Sequence, residues 1–182
     1  MADGAPAAHT PPDLDICPVV RLWPPAEAQT FRDGLARLAS GVAVVACWSE
    51  DEPRGLLVSS FTGLSTEPPR VLFCVRKAAS SHRALLKAEA VSISILTADQ
   101  AAEARRFSRS DLIEERFGAE WRLDPVEPPS FPAALVSLSG PVHCRIDAGT
   151  HTVFIVDVSS AHSQDGDPLV HYDRGFETLA RA

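Results

Sequence analysis

Only one stretch of this chain, Arg70–Leu96, carries a strand-like run, a helical run and a second strand-like run in succession. That order can make a parallel crossover, but a doubly wound sheet needs several such units. The strand-like runs are otherwise joined by short turns and a few helices, which suggests antiparallel pairing. Gly41–Trp48 is a short run of buried type, Ser49–Pro53 a polar turn, and Gly55–Thr62 a second run. Thr66–Pro69 breaks the chain ahead of Arg70–Val75. Val91, Ile93 and Ile95 alternate with Ser92 and Ser94, the period of a half-buried strand. A Pro-rich loop over 125–132 precedes long strand-like stretches over 134–146 and 150–161. Asp165–Pro168 then turns the chain into a last short strand, Leu169–Tyr172. Six or more strands with few helices predict a mainly β protein, an antiparallel barrel.

Helical spacing covers Ala26–Ser40, with Phe31, Leu35 and Leu38 on one face and Gly41 ending the pattern. Ser80–Glu89 reads as a short helix with a serine cap and with Leu85 and Leu86 facing inward. Ala98–Phe107 and Asp111–Phe117 read as helical and strongly charged. Residues 1–25 hold many Pro, Ala and Asp residues with no period, so a mobile or extended tail is expected there, followed by one domain over 26–182.

A length of 182 residues leaves no room for two separate nucleotide-binding domains, so chemistry on two substrates must occur within one fold or between subunits. The net charge of -7 argues against non-specific nucleic-acid binding. Cys17, Cys47, Cys74 and Cys144 are scattered with no C-x-x-C pair, the usage of small core residues in a reducing compartment. With no signal-peptide pattern and no apolar run near the roughly 20 residues of a membrane helix, a soluble cytoplasmic protein is expected. G-x-G-x-x-G, Walker A, G-x-S-x-G and H-E-x-x-H patterns are all missing, and the six histidines have no ligand spacing, so no metal is expected.

Three segments offer chemistry. In Arg54–Pro69 the paired hydroxyls of Ser59 and Ser60 sit among apolar neighbours, either as a satisfied strand end or as part of a polar site. In Arg76-Lys77-Ala78-Ala79-Ser80-Ser81-His82 a cationic pair precedes two serines at a helix start, either an ordinary cap or an anion site for phosphate. His151 follows Gly149-Thr150 just ahead of an apolar strand, with Pro168–Tyr172 downstream, and is either packed or functional.

Taken in order, Phe31–Val45, Val58-Ser-Ser-Phe-Thr-Gly-Leu-Ser65 with Pro68-Pro69, Ser92–Leu96 with Asp99-Gln100, and Gly149-x-His151 resemble the flavin reductase family, the reductase components of two-component flavin-dependent monooxygenases. The resemblance runs from about Phe31 to Phe176. It implies an antiparallel split β-barrel of Greek-key type, like the FMN-binding split barrels, forming a homodimer with a flavin site near the subunit interface. Val58, Ser59 and Ser60 would then line the flavin, and Lys77, Ser80 and Ser81, beside Arg76, would hold its phosphate. His151 would face the flavin ring and the nicotinamide, with Ser94 and Tyr172 as further pocket residues. Where the family commonly has Thr, Asn and Asp, this chain has Leu57, Ser94 and Thr150, changes that bear on flavin affinity more than on fold. The implied reaction passes a hydride from NADH (NADPH being the other option) to FAD or FMN and supplies free reduced flavin to a monooxygenase, in an antibiotic or aromatic-compound pathway. The alternatives are a split-barrel enzyme that keeps its flavin and acts on an organic substrate, and a non-enzymatic flavin- or haem-binding module.

Overall fold

The structure is a computed structural model that describes residues 24–179; the expected tail therefore falls almost wholly outside the described residues. In chain order the elements are α1 (Ala28–Ala36), β1 (Ser40–Gly41), β2 (Ala43–Ser49), β3 (Glu52–Val58), β4 (Thr62–Thr66), β5 (Pro69–Arg76), α2 (His82–Lys87), β6 (Ala90–Ile95) and α3 (Ala101–Ser108). A 3-10 turn over Ser110–Glu115 follows, then β7 (Val136–Ala148), β8 (His151–Asp157), β9 (Ser160–Ser163), β10 (Leu169–Tyr172) and β11 (Gly175–Thr178).

The main sheet has the order β3-β2-β6-β7-β8-β5-β4, with β9 added beside β7. Its end strands β3 and β4 are consecutive in sequence yet unpaired with each other, so the sheet curls without closing, an open, split barrel. β1, β10 and β11 form a separate small sheet. Every ladder between these strands is antiparallel. The Arg70–Leu96 unit is therefore not a parallel crossover: β5 and β6 have β8 and β7 between them, and α2 packs Ala84 and Leu85 into the core on the way.

The barrel interior is filled by Val45, Phe73, Leu85, Ile93, Phe154 and Val156, all fully buried. Phe73 and Phe154 stack with ring centroids 5.1 Å apart. Cys47 lies in this core, and burial pushes its thiol up to about 12. A second core forms on the outer side of β2 and β6, where Phe107 and Trp121 meet with ring centroids 5.0 Å apart and Trp121 stacks on Phe131 at 5.3 Å. Two cores explain why β6 departs from the expected half-buried alternation. Ser92 and Ser94 are buried as fully as Val91 and Ile93, because the 129–131 segment lies over them. Ser92 donates to the Pro129 carbonyl, and Ser94 accepts the Phe131 N–H at 3.3 Å.

Helix α1 is shorter than its pattern and buries none of its residues, so Phe31 and Leu35 stand 58% and 52% exposed instead of packing inward. Glu27 caps it by accepting the Gln29 and Thr30 N–H groups at 2.8 and 2.6 Å. Those bonds hold its carboxyl below the usual range. The final hairpin anchors the other end, where the Asp173 N–H reaches the Ala36 carbonyl at 2.8 Å and Arg174 pairs with Asp33.

Candidate functional site

β3 is an edge strand, and its pairing with β2 fixes which peptide groups remain free. In an antiparallel ladder, successive residues turn their N–H and C=O groups to opposite sides. The Gly55 carbonyl points away from β2: it accepts the Ser81 hydroxyl at 2.8 Å and the Arg116 Nη1–H at 2.8 Å. By the same alternation, the peptide groups of Leu57 lie on that free edge. Gly55 is the residue the site needs here, because an added Cβ would sit 2.8 Å from the Val45 carbonyl oxygen and 3.0 Å from the Phe117 ring.

A trough runs along this edge in four adjoining stretches. The turn between β2 and β3 and helix α2 bound the first, of 530 Å³, with Arg54, Ser80, Arg83 and Lys87 in its lining. The second, 310 Å³, lies between Gly55, Ser80, Ser81 and Arg116. The third, 540 Å³, is lined by Leu56, Leu57, Arg76, Ser80 and Arg116 among others. A fourth, 300 Å³, continues to Leu57, Ser59, Ser108, His171 and Arg174. Ser80 is common to the first three stretches, and Leu57 and Ser108 join the last two.

Of the residues expected from sequence, Ser59, Arg76, Ser80 and Ser81 reach this trough. The others are placed elsewhere, each for a visible reason. Val58 turns its side chain into the barrel core. Ser60 closes a two-way bond with Cys74 of β5, its hydroxyl donating to the carbonyl and accepting the N–H, both at 3.0 Å. Lys77 pairs with Asp147 at 2.7 Å, and that contact, with the Gly149 N–H, holds the Asp147 carboxyl below its usual range. Ser94 is buried beneath the 129–131 segment, where its hydroxyl accepts the Phe131 N–H. Tyr172 faces the end of α1, where its hydroxyl meets the Arg37 guanidinium, and its neighbour His171 lines the trough instead. Ser81 gives its hydroxyl to β3 and makes no cap bond to α2, which starts at His82, two residues later than expected.

His151 opens β8 on its outer face, in register with Arg76 of β5. Its Nδ1 lies 2.9 Å from Thr150 Oγ1, which leaves Nε2 as the nitrogen it can present. His151 is therefore one strand away from a trough residue, without lining the trough in the single chain.

Arg116 and His171 are the functional candidates that the sequence pattern conceals. Arg116 falls in a charged segment with the look of a solvated helix, and His171 sits in a short strand beside a more conspicuous Tyr172. Among the described residues no group of three or more His, Cys, Asp or Glu is arranged to hold a metal ion. No helix there is long and apolar enough to cross a membrane.

The fold is an open antiparallel barrel with cations and hydroxyls along a bare strand edge. The chain belongs to the flavin reductase family: the model of the flavin reductase like domain matches residues 35–180. It is 31% identical over 154 residues to the FMN reductase (NADH) SmoA of Agrobacterium fabrum, covering 85% of this chain and 87% of that one. It is also 31% identical to the reductase component of the 4-nitrophenol 4-monooxygenase/4-nitrocatechol 2-monooxygenase of Rhodococcus opacus, covering 84% and 81%. Among solved structures, the NADH:FAD oxidoreductase SgcE6 of Streptomyces globisporus, in complex with NAD and FAD fragments, superposes with a TM-score of 0.78 at 28% identity, covering 87% of this chain and 96% of that one.

Proposed function

We propose that this chain is an NADH-dependent flavin reductase that treats flavin as a substrate and releases it reduced to a separate monooxygenase. The observation that carries the reading is the trough on the free edge of β3, lined by Arg76, Arg116 and Ser80, in a chain of this family. The donor set suits the ligand: guanidinium groups and hydroxyls take phosphate oxygens, and the Leu57 peptide offers a donor and an acceptor to the edge of a flat ring.

The dihydronicotinamide supplies a hydride, two electrons and a proton together, and the flavin accepts it, so no protein group changes oxidation state. The chain's own part is to hold and orient. Arg76 and Ser80, with Ser81 fixing the floor at Gly55, hold the phosphate end, and Ser59 and the Leu57 peptide align the ring. His151 Nε2 offers a proton or positive charge where reduction leaves negative charge. Lys77 adds to the field near Arg76 while paired with Asp147, and Val58 contributes backbone alone.

The assembly we propose is a homodimer closed over the outer face of β5, β8 and β7. Leu72, Cys74, Val153, Ile155, Cys144 and Ile146 point outward there, outside both cores. Because His151 ends that face beside Arg76, a second copy would cover the site's edge. We favour FAD over FMN and NADH over NADPH, a cytoplasmic setting where NADH is available, and service to an aromatic-compound or antibiotic pathway, by analogy with the relatives named above.

The test is to purify the protein, dialyse it, and follow NADH oxidation with added FAD, FMN and riboflavin. The expected result is a colourless protein that consumes NADH on flavin addition, fastest with FAD. A protein that stays yellow, with one flavin per subunit surviving dialysis, supports the bound-flavin alternative and contradicts release.

A further inference from the structure

Arg116 is a cation without a counter-charge. Its guanidinium lies beside no carboxylate among the described residues, and instead bonds three backbone carbonyls: Gly55 of β3 at 2.8 Å through Nη1, Arg106 of α3 at 3.2 Å through Nε, and Arg109 at 2.8 Å through Nη2. It rests 5.5 Å from the centroid of the Phe107 ring. Neighbouring arginines are neutralised, Arg54 by Glu52, Arg106 by Glu103 and Glu120, and Arg109 by Asp111. Arg116 is about half-buried, and burial lowers its pKa, as expected of a charge left uncompensated.

An arginine has five N–H donors. Three are spent on carbonyls, and two remain, one on each terminal nitrogen. The three carbonyls come from two segments far apart in sequence, β3 and the C-terminal end of α3, so the side chain is fixed before any ligand arrives, which spares the entropy of ordering it. Arg116 lines both the second and the third stretch of the trough, and Ser80 lines the same two stretches.

We propose that Arg116 binds the phosphate of the flavin across the trough from Ser80, and makes the site select phosphorylated flavins, FMN or FAD, over riboflavin. This rests on the flavin-reductase reading and adds to it a ligand-binding residue on the wall opposite the turn before α2. An alternative role, structural pinning of the 109–116 segment to β3, uses only the three carbonyl bonds and would treat all flavins alike.

The experiment is equilibrium dialysis of the wild type, Arg116→Gln and Arg116→Lys against riboflavin, FMN and FAD. The wild type should bind FMN and FAD more tightly than riboflavin. Arg116→Gln should weaken FMN and FAD by about ten- to a hundredfold, the range for a lost bond to a charged group, and leave riboflavin within about twofold. Arg116→Lys, which keeps the charge without the fork, should recover part of the loss. Weakening confined to FAD assigns Arg116 to the diphosphate, and equal weakening of FMN and FAD assigns it to the phosphate they share. Uniform weakening of all three flavins, or a wild type that binds riboflavin as tightly as FMN and FAD, overturns the proposal while leaving the flavin reading intact. A wild type that binds none of the three overturns that reading itself.

Discussion

A serine inside an apolar strand must bond its hydroxyl somewhere, and the candidate serines here reach different ends. Ser60 ties the split of the barrel to β5, Ser81 braces the floor of the trough, and Ser94 pins a loop. Ser59 and Ser80 are left at the trough. Sequence shows that such hydroxyls need partners but not which partners, because those come from segments 14 to 37 residues away. His151 was visible as a lone histidine after Gly149-Thr150, and its pairing beside Arg76 gives it a neighbour at the trough. Replacing it with Ala should lower kcat for flavin reduction by NADH about tenfold or more, the effect of losing one donor to developing charge. Affinity for flavin should change much less. Steady-state kinetics with kcat unchanged would remove His151 from the mechanism.

Strands were legible because their period is short and local, and Leu169–Tyr172 matches its expected bounds. Helices are shorter than their spacing predicts: α1 and α2 have nine and six residues, because chain reversals needed by the sheets take the ends. Burial on both faces of β6 was not legible, since alternation alone cannot reveal a second core laid over the polar side. The apolar outer face of β5, β8 and β7 is the converse, with Ile146 45% exposed in the single chain. If a second copy covers it, Ile146→Asp places a charge at a two-fold interface, where symmetry counts it twice. The dissociation constant should rise by about a hundredfold or more. Sedimentation velocity should then show dimeric wild type and monomeric variant, and a monomeric wild type at the same concentration contradicts the assembly.

At the scale of the whole molecule, chain length and split architecture combine into one constraint. A barrel that does not close leaves its end strands β3 and β4 each with a free edge, and the trough runs along that of β3. In the proposed function, nicotinamide and flavin meet at this one trough. Against a net charge of -7, Arg76 and Arg116 concentrate positive charge in the trough, where the proposed function puts phosphate. A site of this kind, open along its length, suits a ligand that enters and leaves. The most direct measurement is anaerobic mixing of dialysed protein with excess NADH and many equivalents of FAD, following the bleaching of the flavin. Bleaching of all the FAD, at a rate proportional to protein, is the result this account predicts. Bleaching that stops at one flavin per subunit, or that proceeds no faster than without protein, would contradict it.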